Sequence, residues 1–174
     1  MVYVGSKSRL APIFVPMFNN LVKDLNINTY IEPFVGGANI FDKIICENKY
    51  GYDKSKTLIA LFNQGLNDID AIPEKGSRVW WDKAKAEYKG EIPQTLEDWE
   101  IGAIQFFASF GTRGFPGGYA NNKHNKDYYN ERYRNFKKQI ELLKQTGGVF
   151  INKSYIDIEI PDNSLIYCDP PYMG

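Results

Sequence analysis

Residues 29–40 read Thr-Tyr-Ile-Glu-Pro-Phe-Val-Gly-Gly-Ala-Asn-Ile, and this stretch decides the predicted fold. Its first residues form a short apolar run typical of a buried strand, and Gly36 and Gly37 predict a turn after it. Apolar residues then recur at helical spacing, at Ile40, Phe41, Ile44 and Ile45. We therefore expect a strand, a glycine turn and a helix, with glycines that let a ligand approach the backbone closely.

A second strand and helix are predicted directly after this unit. The strand covers residues 50–53 and ends in Asp53, and a helical pattern follows at Leu58, Ile59, Leu61 and Phe62. Asp53 follows Gly36 at a spacing close to the roughly 20 residues at which nucleotide-binding α/β folds place a carboxylate on ribose hydroxyls. An NAD-type site is the alternative, but the glycine pattern is not G-x-G-x-x-G.

The chain closes with a second acidic motif, Asp169-Pro170-Pro171-Tyr172, which follows an apolar run at residues 165–168. The prolines stiffen the loop and remove backbone donors. The Asp169 carboxylate and the Pro170 carbonyl could together accept both protons of one amino group, while Tyr172 offers a flat face to a planar ring. The motif predicts a receptor for a nucleobase with an exocyclic amino group; a strand end closed by an Asp-Pro turn is the purely structural alternative.

Composition bounds the protein class. A length of 174 residues suits one domain, or one domain with an insertion, and 21 basic residues balance 21 acidic ones. The total charge therefore says nothing about nucleic acid. Cys46 and Cys168 each lie in an apolar run, which predicts buried free thiols in a reducing cytoplasm. We expect no metal site, no membrane span and no secretory signal, and hence a cytoplasmic protein.

The alternation of strands and helices lapses between about Pro73 and Gly148. Trp80 and Trp81 precede a short helical stretch, and residues 95–98 resemble a capping box that opens a longer helix. The inward positions predicted for that helix are Ala103, Ile104, Phe107 and Phe110. The strand pattern returns at residues 148–152 and 165–168. The α/β domain is therefore predicted to be split into residues 1–65 and 147–174, with residues 66–146 inserted.

This insertion contains a basic region. Residues 111–119 form a loop rich in glycine and aromatic residues, and residues 121–145 contain more Lys and Arg than Asp and Glu. Helical spacing predicts that four residues of this segment face the core: Tyr133, Phe136, Ile140 and Leu143. A solvated helix face is the usual explanation for such charges. The adjacent loop and the predicted base receptor favour DNA contact instead.

The N-terminal segment places Lys7 after a glycine turn at Gly5 and before a helical pattern. Apolar residues recur there at Ile13, Phe14, Met17, Phe18, Leu21 and Val22. We expect Pro16 to kink this helix and Pro12 to lie in its first turn. Taken alone, Lys7 is most simply a solvated charge.

Four motifs now stand in one order along the chain. They are Gly5-Ser6-Lys7, Phe34-Val35-Gly36-Gly37, Asp53 and Asp169-Pro170-Pro171-Tyr172. In this order they resemble the motifs of Dam-type (D12 class) DNA adenine-N6 methyltransferases. The resemblance implies a Rossmann-like sheet that binds S-adenosylmethionine, here with about four strands, and a mainly helical target-recognition insertion that binds double-stranded DNA.

The resemblance also implies residue roles. The implied cofactor-binding residues are Lys7, Phe34, Gly36, Gly37, Asp53, Ser154, Tyr155 and Asp169. The implied catalytic residues are Asp169, Pro170 and Tyr172, which align and receive an adenine amino group for direct methyl transfer without a cysteine nucleophile. The expected DNA contacts are Arg113, Phe115, Tyr119, Lys123, Lys126, Arg132 and Arg134. A phage or restriction-modification setting is implied in the same way.

One departure from the family pattern shapes a further expectation. The chain ends two residues after Tyr172, whereas the sheet of the family continues with a further helix and further strands. The strand near residues 165–168 is therefore expected to be an exposed apolar edge, prone to self-association. The alternative function is a truncated module that binds cofactor or DNA without turnover.

Overall fold

The computed structural model describes residues 3, 5–111, 114–120 and 127–171. Four strands form one parallel sheet within this part of the chain. They are β1 (Thr29–Glu32), β2 (Asn48–Asp53), β3 (Val149–Asn152) and β4 (Ser164–Ile166). Their order across the sheet is β3-β2-β1-β4. The arrangement confirms the predicted α/β fold class with a Rossmann-like sheet of about four strands.

Five α-helices accompany the sheet in the described residues. They are α1 (Ala11–Asp24), α2 (Lys56–Asn67), α3 (Arg78–Tyr88), α4 (Asp98–Phe107) and α5 (Tyr128–Thr146). Side chains cap several of them: the Ser55 hydroxyl accepts from the Leu58 amide at the start of α2, and Asp127 accepts from the Asn130 amide at the start of α5. Helix α1 carries Pro12 in its first turn, as predicted, and retains Pro16 inside. No helix of the described part is long and apolar enough to cross a membrane.

The parallel direction of the strands positions the site. Thr29 of β1 pairs with Asn48 of β2 on one side and with Ser164 of β4 on the other. All four strands therefore end at the same edge of the sheet, because parallel strands run in one direction. Glu32 and Asp53 end β1 and β2 at this edge, and the chain leaves β4 there toward Asp169.

The helices of the predicted insertion pack into the same core as the sheet. Phe62 of α2 stacks on Phe150 of β3 with ring centroids 4.4 Å apart. Phe136 of α5 lies 5.4 Å from Phe62 and 5.4 Å from Phe107 of α4. All four core-facing positions predicted on α5 are buried. Residues 66–146 thus share one hydrophobic core with the rest of the chain, and their assignment to a separate recognition domain stays a prediction.

The prediction of a helix after the glycine turn is wrong. Residues 40–45 form only a 3₁₀ turn at Phe41–Lys43, and the backbone at Ile44 is extended. The buried Lys49 ammonium donates to the carbonyls of Phe41 and Ile44, at 3.0 and 2.9 Å. A side chain of β2 thus satisfies carbonyls that a helix would pair with its own amides. Ile40, Phe41 and Ile44 are buried, whereas Ile45 is 72% exposed, and the segment is a compact turn rather than a helix.

Two details of α3 and α4 also differ from the prediction. Trp80 and Trp81 lie inside α3 rather than before it, because the Ser77 side chain caps the helix at an earlier point. The capping box of α4 uses Glu97 and Glu100. Thr95 instead donates its hydroxyl proton to a carboxylate oxygen of Glu87, at 2.7 Å.

Three residues predicted to be buried are not. Phe110 is 63% exposed because α4 ends at Phe107, so the helical spacing does not continue to it. Cys168 is exposed and Cys46 is half-buried. Strand β4 ends at Ile166, and Cys168 consequently lies in the loop that follows. The expected edge position of β4 is confirmed for the described sheet, where Ile166 is 37% exposed.

Candidate active site at the carboxyl edge of the sheet

A cleft of about 1000 Å³ opens where β1, β2 and β4 end. Three parts of the chain form its walls: the N-terminal loop around Lys7, the glycine turn, and the loop after β4. Most of the predicted cofactor and catalytic residues line it, namely Lys7, Phe34, Gly36, Gly37, Asp53, Tyr155, Asp169 and Pro170. The volume is that of a ligand site for a small organic molecule. The acidic turn and the glycine turn therefore face one space, although they are far apart in sequence.

The glycine turn has a backbone that a side chain would disturb. Gly36 has a φ of +47°, and a Cβ placed there would lie 3.0 Å from the ring of Tyr3. The turn is fixed from behind, because Gln139 of α5 donates its side-chain amide to the carbonyls of Gly37 and Ala38, at 2.9 and 3.1 Å. The result is an immobilised stretch of bare backbone on the cleft wall.

Asp53 connects the glycine turn to the start of α2. One carboxylate oxygen accepts from the Gly36 amide at 3.1 Å, and the other accepts from the Ser55 amide at 2.9 Å. Burial raises the pKa of Asp53, while these amides and that of Lys54 lower it. Each carboxylate oxygen has a second lone pair, so the group can accept further hydrogen bonds from a ligand in the cleft.

The acidic motif that begins at Asp169 lines the same cleft. Both oxygens of Asp169 accept from the Lys7 ammonium, at 2.7 and 2.6 Å. Pro170 and Pro171 follow on the cleft wall. Tyr172, the fourth residue of the motif, lies outside the described residues. Sequence reasoning associated Lys7 with the cofactor, whereas its ammonium contacts the carboxylate of the acidic turn.

Two aromatic rings lie next to each other on the wall of the cleft. Phe34 and Tyr155 have ring centroids 5.1 Å apart, tilted by 41°, and both line the cleft. The hydroxyl of the neighbouring Ser154 is buried without a hydrogen-bond partner in the described part of the chain. Ser154 itself is not on the described wall of the cleft. The aromatic pair therefore offers ring surface to a ligand in the cleft, whereas the Ser154 hydroxyl is not exposed to it.

Glu32 is a cleft residue that sequence reasoning did not select. It ends β1, is 3% exposed and accepts from the Tyr30 hydroxyl at 2.8 Å. Burial raises the pKa of Glu32 to about 8, although the Tyr30 hydrogen bond lowers it. The signal that could have identified it is the pair Glu32-Pro33, which matches Asp169-Pro170 as an acid followed by proline at a strand end.

We expect Glu32→Gln to flatten the dependence of stability on pH. The folded-state pKa of Glu32, about 8, lies above its ordinary value of 4.5, so the folded protein binds more protons between these values. Its contribution is fully present below pH 4.5 and is lost as the pH rises through 8. Urea unfolding at pH 5, 7 and 9 measures the effect. The variant should gain stability relative to the wild type with rising pH, by up to about 1.4 kcal/mol per pH unit; parallel curves would contradict the assignment.

The structure places the residues predicted to contact DNA in different environments, some buried and some exposed. Phe115 is 3% exposed and packs on Trp81 and Tyr88, with centroids 5.7 and 5.3 Å apart, so the ring lies in the core rather than on a DNA-facing surface. The turn at Phe115–Gly117 is preceded by Gly114, which has a φ of +62°. Tyr119 is half-buried against Trp81.

The guanidinium of Arg132 is hydrogen-bonded to backbone carbonyls at and after the end of α4. Its guanidinium donates to the carbonyls of Phe106, Phe107, Ser109 and Gly111. It therefore satisfies carbonyls that have no helical partner. Arg134 is exposed. Arg113, Lys123 and Lys126 lie outside the described residues.

Two further findings bear on the chemistry of the cleft. Within the described residues, no group of three or more His, Cys, Asp or Glu side chains could hold a metal ion. In a comparison with protein families, residues 3–92 match the model of the D12 class N6 adenine-specific DNA methyltransferases. The match covers just over half of the chain and includes the Lys7 loop, the glycine turn and Asp53.

Proposed function

From the premise that this chain belongs to the D12 class N6 adenine-specific DNA methyltransferases, we propose that it transfers a methyl group from S-adenosylmethionine to the exocyclic amino group of adenine. Family membership makes it a methyltransferase enzyme that acts on adenine in DNA. The methyl donor and the residue roles are proposals. The observation that carries them is the single cleft lined by Gly36, Asp53 and Asp169.

The cofactor side of the cleft fits S-adenosylmethionine in the types of groups it presents. The bare backbone at Gly36 and Gly37 admits the methionine end beside Phe34, and the Asp53 carboxylate can accept from two ribose hydroxyls. Tyr155 offers a ring face to the cofactor adenine, with the orphaned Ser154 hydroxyl nearby. When bound, this cofactor supplies an electrophilic methyl group on a sulfonium. No metal is needed for that chemistry.

The base side supplies acceptors and alignment. The adenine amino group is a weak nucleophile because its lone pair is drawn into the ring. Hydrogen bonds from this group to the Asp169 carboxylate and the Pro170 carbonyl would orient it toward the cofactor side of the cleft. Fixed acceptors of this kind also stabilise positive charge that develops on the amino nitrogen. Tyr172 would stack on the base, offsetting the few kcal/mol that extrusion from the duplex costs.

DNA recognition is assigned to residues 66–146 as a proposal. Of the predicted DNA contacts that the structure describes, the exposed Arg134 best fits a phosphate contact, because a phosphate needs an accessible cation. Arg113, Lys123 and Lys126 stay predictions, as does Tyr119. Phe115 is buried and Arg132 donates to carbonyls near the end of α4, so neither is used in this proposal. Self-association through residues 165–168 also stays a prediction, supported by the edge position of β4.

Methyl transfer tests the proposal directly. The purified chain is incubated with S-adenosylmethionine labelled on the methyl group and with duplex DNA of mixed sequence. We expect label in N6-methyladenine after digestion of the DNA to nucleosides. Binding of cofactor or DNA without any transfer would favour the alternative, a module without turnover, and label in cytosine would contradict the proposed acceptor.

We expect Asp53→Asn to weaken S-adenosylmethionine binding by about tenfold or more. The amide keeps one acceptor oxygen but turns a donor toward either the Gly36 or the Ser55 amide, which now bond to carboxylate oxygens. Isothermal titration calorimetry without DNA measures the affinity. Asp24→Asn, at the exposed end of α1, is the matched control. An unchanged dissociation constant in Asp53→Asn would remove Asp53 from the cofactor site.

A further inference from the structure

The Asp169 carboxylate is paired with the side-chain ammonium of Lys7. The Lys7 nitrogen lies 2.7 Å from one carboxylate oxygen and 2.6 Å from the other, which places it in the fork between them. The two side chains are only 19% and 23% exposed. This is not a loose surface ion pair, because both groups are mostly withdrawn from solvent and the contact is bidentate.

The Lys7 contact is built into the local structure. The same ammonium also donates to the Gly5 carbonyl at 3.0 Å. The neighbouring Ser6 hydroxyl accepts from the side-chain amide of Asn39 at 2.9 Å, and Asn39 follows the glycine turn two residues after Gly37. Residues 5–7 thus form a short segment that is hydrogen-bonded to the region of the glycine turn through Ser6 and to the acidic turn, which begins at Asp169, through Lys7.

The position of the ammonium matters because of what Asp169 is proposed to receive. An exocyclic amino group and an ammonium group are the same kind of ligand for a carboxylate, since each offers N–H donors from one nitrogen. A nitrogen close to both oxygens uses the inner lone pair of each. An adenine amino group therefore cannot take the same place while Lys7 holds it.

We propose that Lys7 is an internal competitor for the target base: without DNA its ammonium occupies the Asp169 fork, and adenine binds there only by displacing it. The inference rests on the proposed function, in which Asp169 receives the adenine amino group. It moves Lys7 from the cofactor side of the cleft to the base side. The adenine amino group must displace the charged Lys7 side chain from Asp169. A base that enters the cleft without displacing Lys7 therefore gains little binding free energy.

A pair of nucleosides isolates the amino group. 2′-Deoxyadenosine carries it, and purine 2′-deoxyriboside lacks it. Both are titrated into the protein without cofactor and followed by NMR chemical shifts, which avoids any need to know the recognition sequence. Removing the ammonium with Lys7→Met should strengthen 2′-deoxyadenosine binding by about tenfold, because Asp169 then accepts without competition. Binding of purine 2′-deoxyriboside should change little, so the ratio of the two affinities rises.

Four further variants make this result specific. Lys7→Arg keeps a bidentate cation on the carboxylate and should retain the wild-type ratio. Lys54→Met removes a different lysine from the same cleft and should also leave the ratio unchanged. The double variant Lys7→Met with Asp169→Ala should lose the gain. Lys7→Leu is measured in parallel, with circular dichroism as a check on folding, so that the result does not depend on one substitution.

The outcomes separate the inference from the function on which it rests. A Lys7→Met protein whose affinity ratio is unchanged or lower overturns the competitor role, as does a gain that persists in the double variant. If methyl transfer is lost in Asp169→Ala but no gain is seen in Lys7→Met, the inference alone fails. If transfer survives Asp169→Ala, the proposed role of Asp169 fails and the inference fails with it.

Discussion

Replacing Asp169 with alanine is expected to lower the rate of methyl transfer to DNA by at least about a hundredfold. The substitution removes both carboxylate oxygens at the edge of the cleft. The adenine amino group then keeps only the Pro170 carbonyl as a proposed acceptor, so it is neither oriented nor stabilised as positive charge develops. The measurement is the single-turnover rate at saturating labelled S-adenosylmethionine, so that a change in cofactor affinity does not limit the result.

Two control variants, one conservative and one at a distant site, show whether the loss of methyl transfer is specific to the Asp169 carboxylate. Asp169→Asn keeps one acceptor oxygen and should retain more activity than Asp169→Ala. Asp162→Ala removes an exposed carboxylate from the segment before β4 and should transfer at the wild-type rate. Substantial transfer by Asp169→Ala in a folded protein would refute the proposed role of the acidic turn.

Gly102→Ala is expected to destabilise the protein by about 2 kcal/mol or more, although alanine is ordinarily the better helix former by about 1 kcal/mol. Gly102 lies in α4 where this helix meets α2. A Cβ there would press into the carbonyl oxygen of Thr57 and would lie 3.0 Å from its carbonyl carbon. Because the obstacle is helix backbone, the two helices must move apart. Thermal unfolding should show a lower Tm, by about 5 °C.

Gly65→Ala is the matched control for this effect. Gly65 is also helical and close to its neighbours, but its Cβ would meet side-chain atoms, the nearest being the Ile140 Cδ1 atom at 2.8 Å. It would also lie 2.9 Å from Ile140 Cγ1 and from Phe136 Cε1, but side chains can shift further than helix backbone, so we expect a smaller loss of stability than in Gly102→Ala. If Gly102→Ala were as stable as the wild type, the close approach of α2 and α4 would be incorrect.

The sheet and the composition of the cleft could be predicted from sequence for a physical reason. The apolar runs before Glu32, Asp53 and Asp169 are local signals for strands. Parallel strands end at one edge, and strand ends carry the loops that bind ligands in such folds. Once the three strands are assigned, their acidic ends are expected to meet. The same logic applied evenly would have selected Glu32.

The features that sequence could not predict depend on side-chain partners that local periodicity does not reveal. Residues 40–45 have helical spacing, but the Lys49 ammonium binds the carbonyls of Phe41 and Ile44. The Lys7 contact joins residues 162 positions apart. Phe115 has the composition of a binding loop, yet it fills a space beside Trp81 that exists only after folding. Local sequence patterns indicate that a residue is buried better than they indicate which part of the chain it packs against.

The side-chain amide of Gln139 joins two tasks that sequence assigns to different regions. It belongs to α5, within the segment proposed to recognise DNA, and it anchors the backbone on which the cofactor is proposed to rest. Thermodynamic linkage then has a definite consequence. Where a partner that displaces α5 changes the affinity of the glycine turn for its ligand, that ligand changes the affinity for the partner by the same factor.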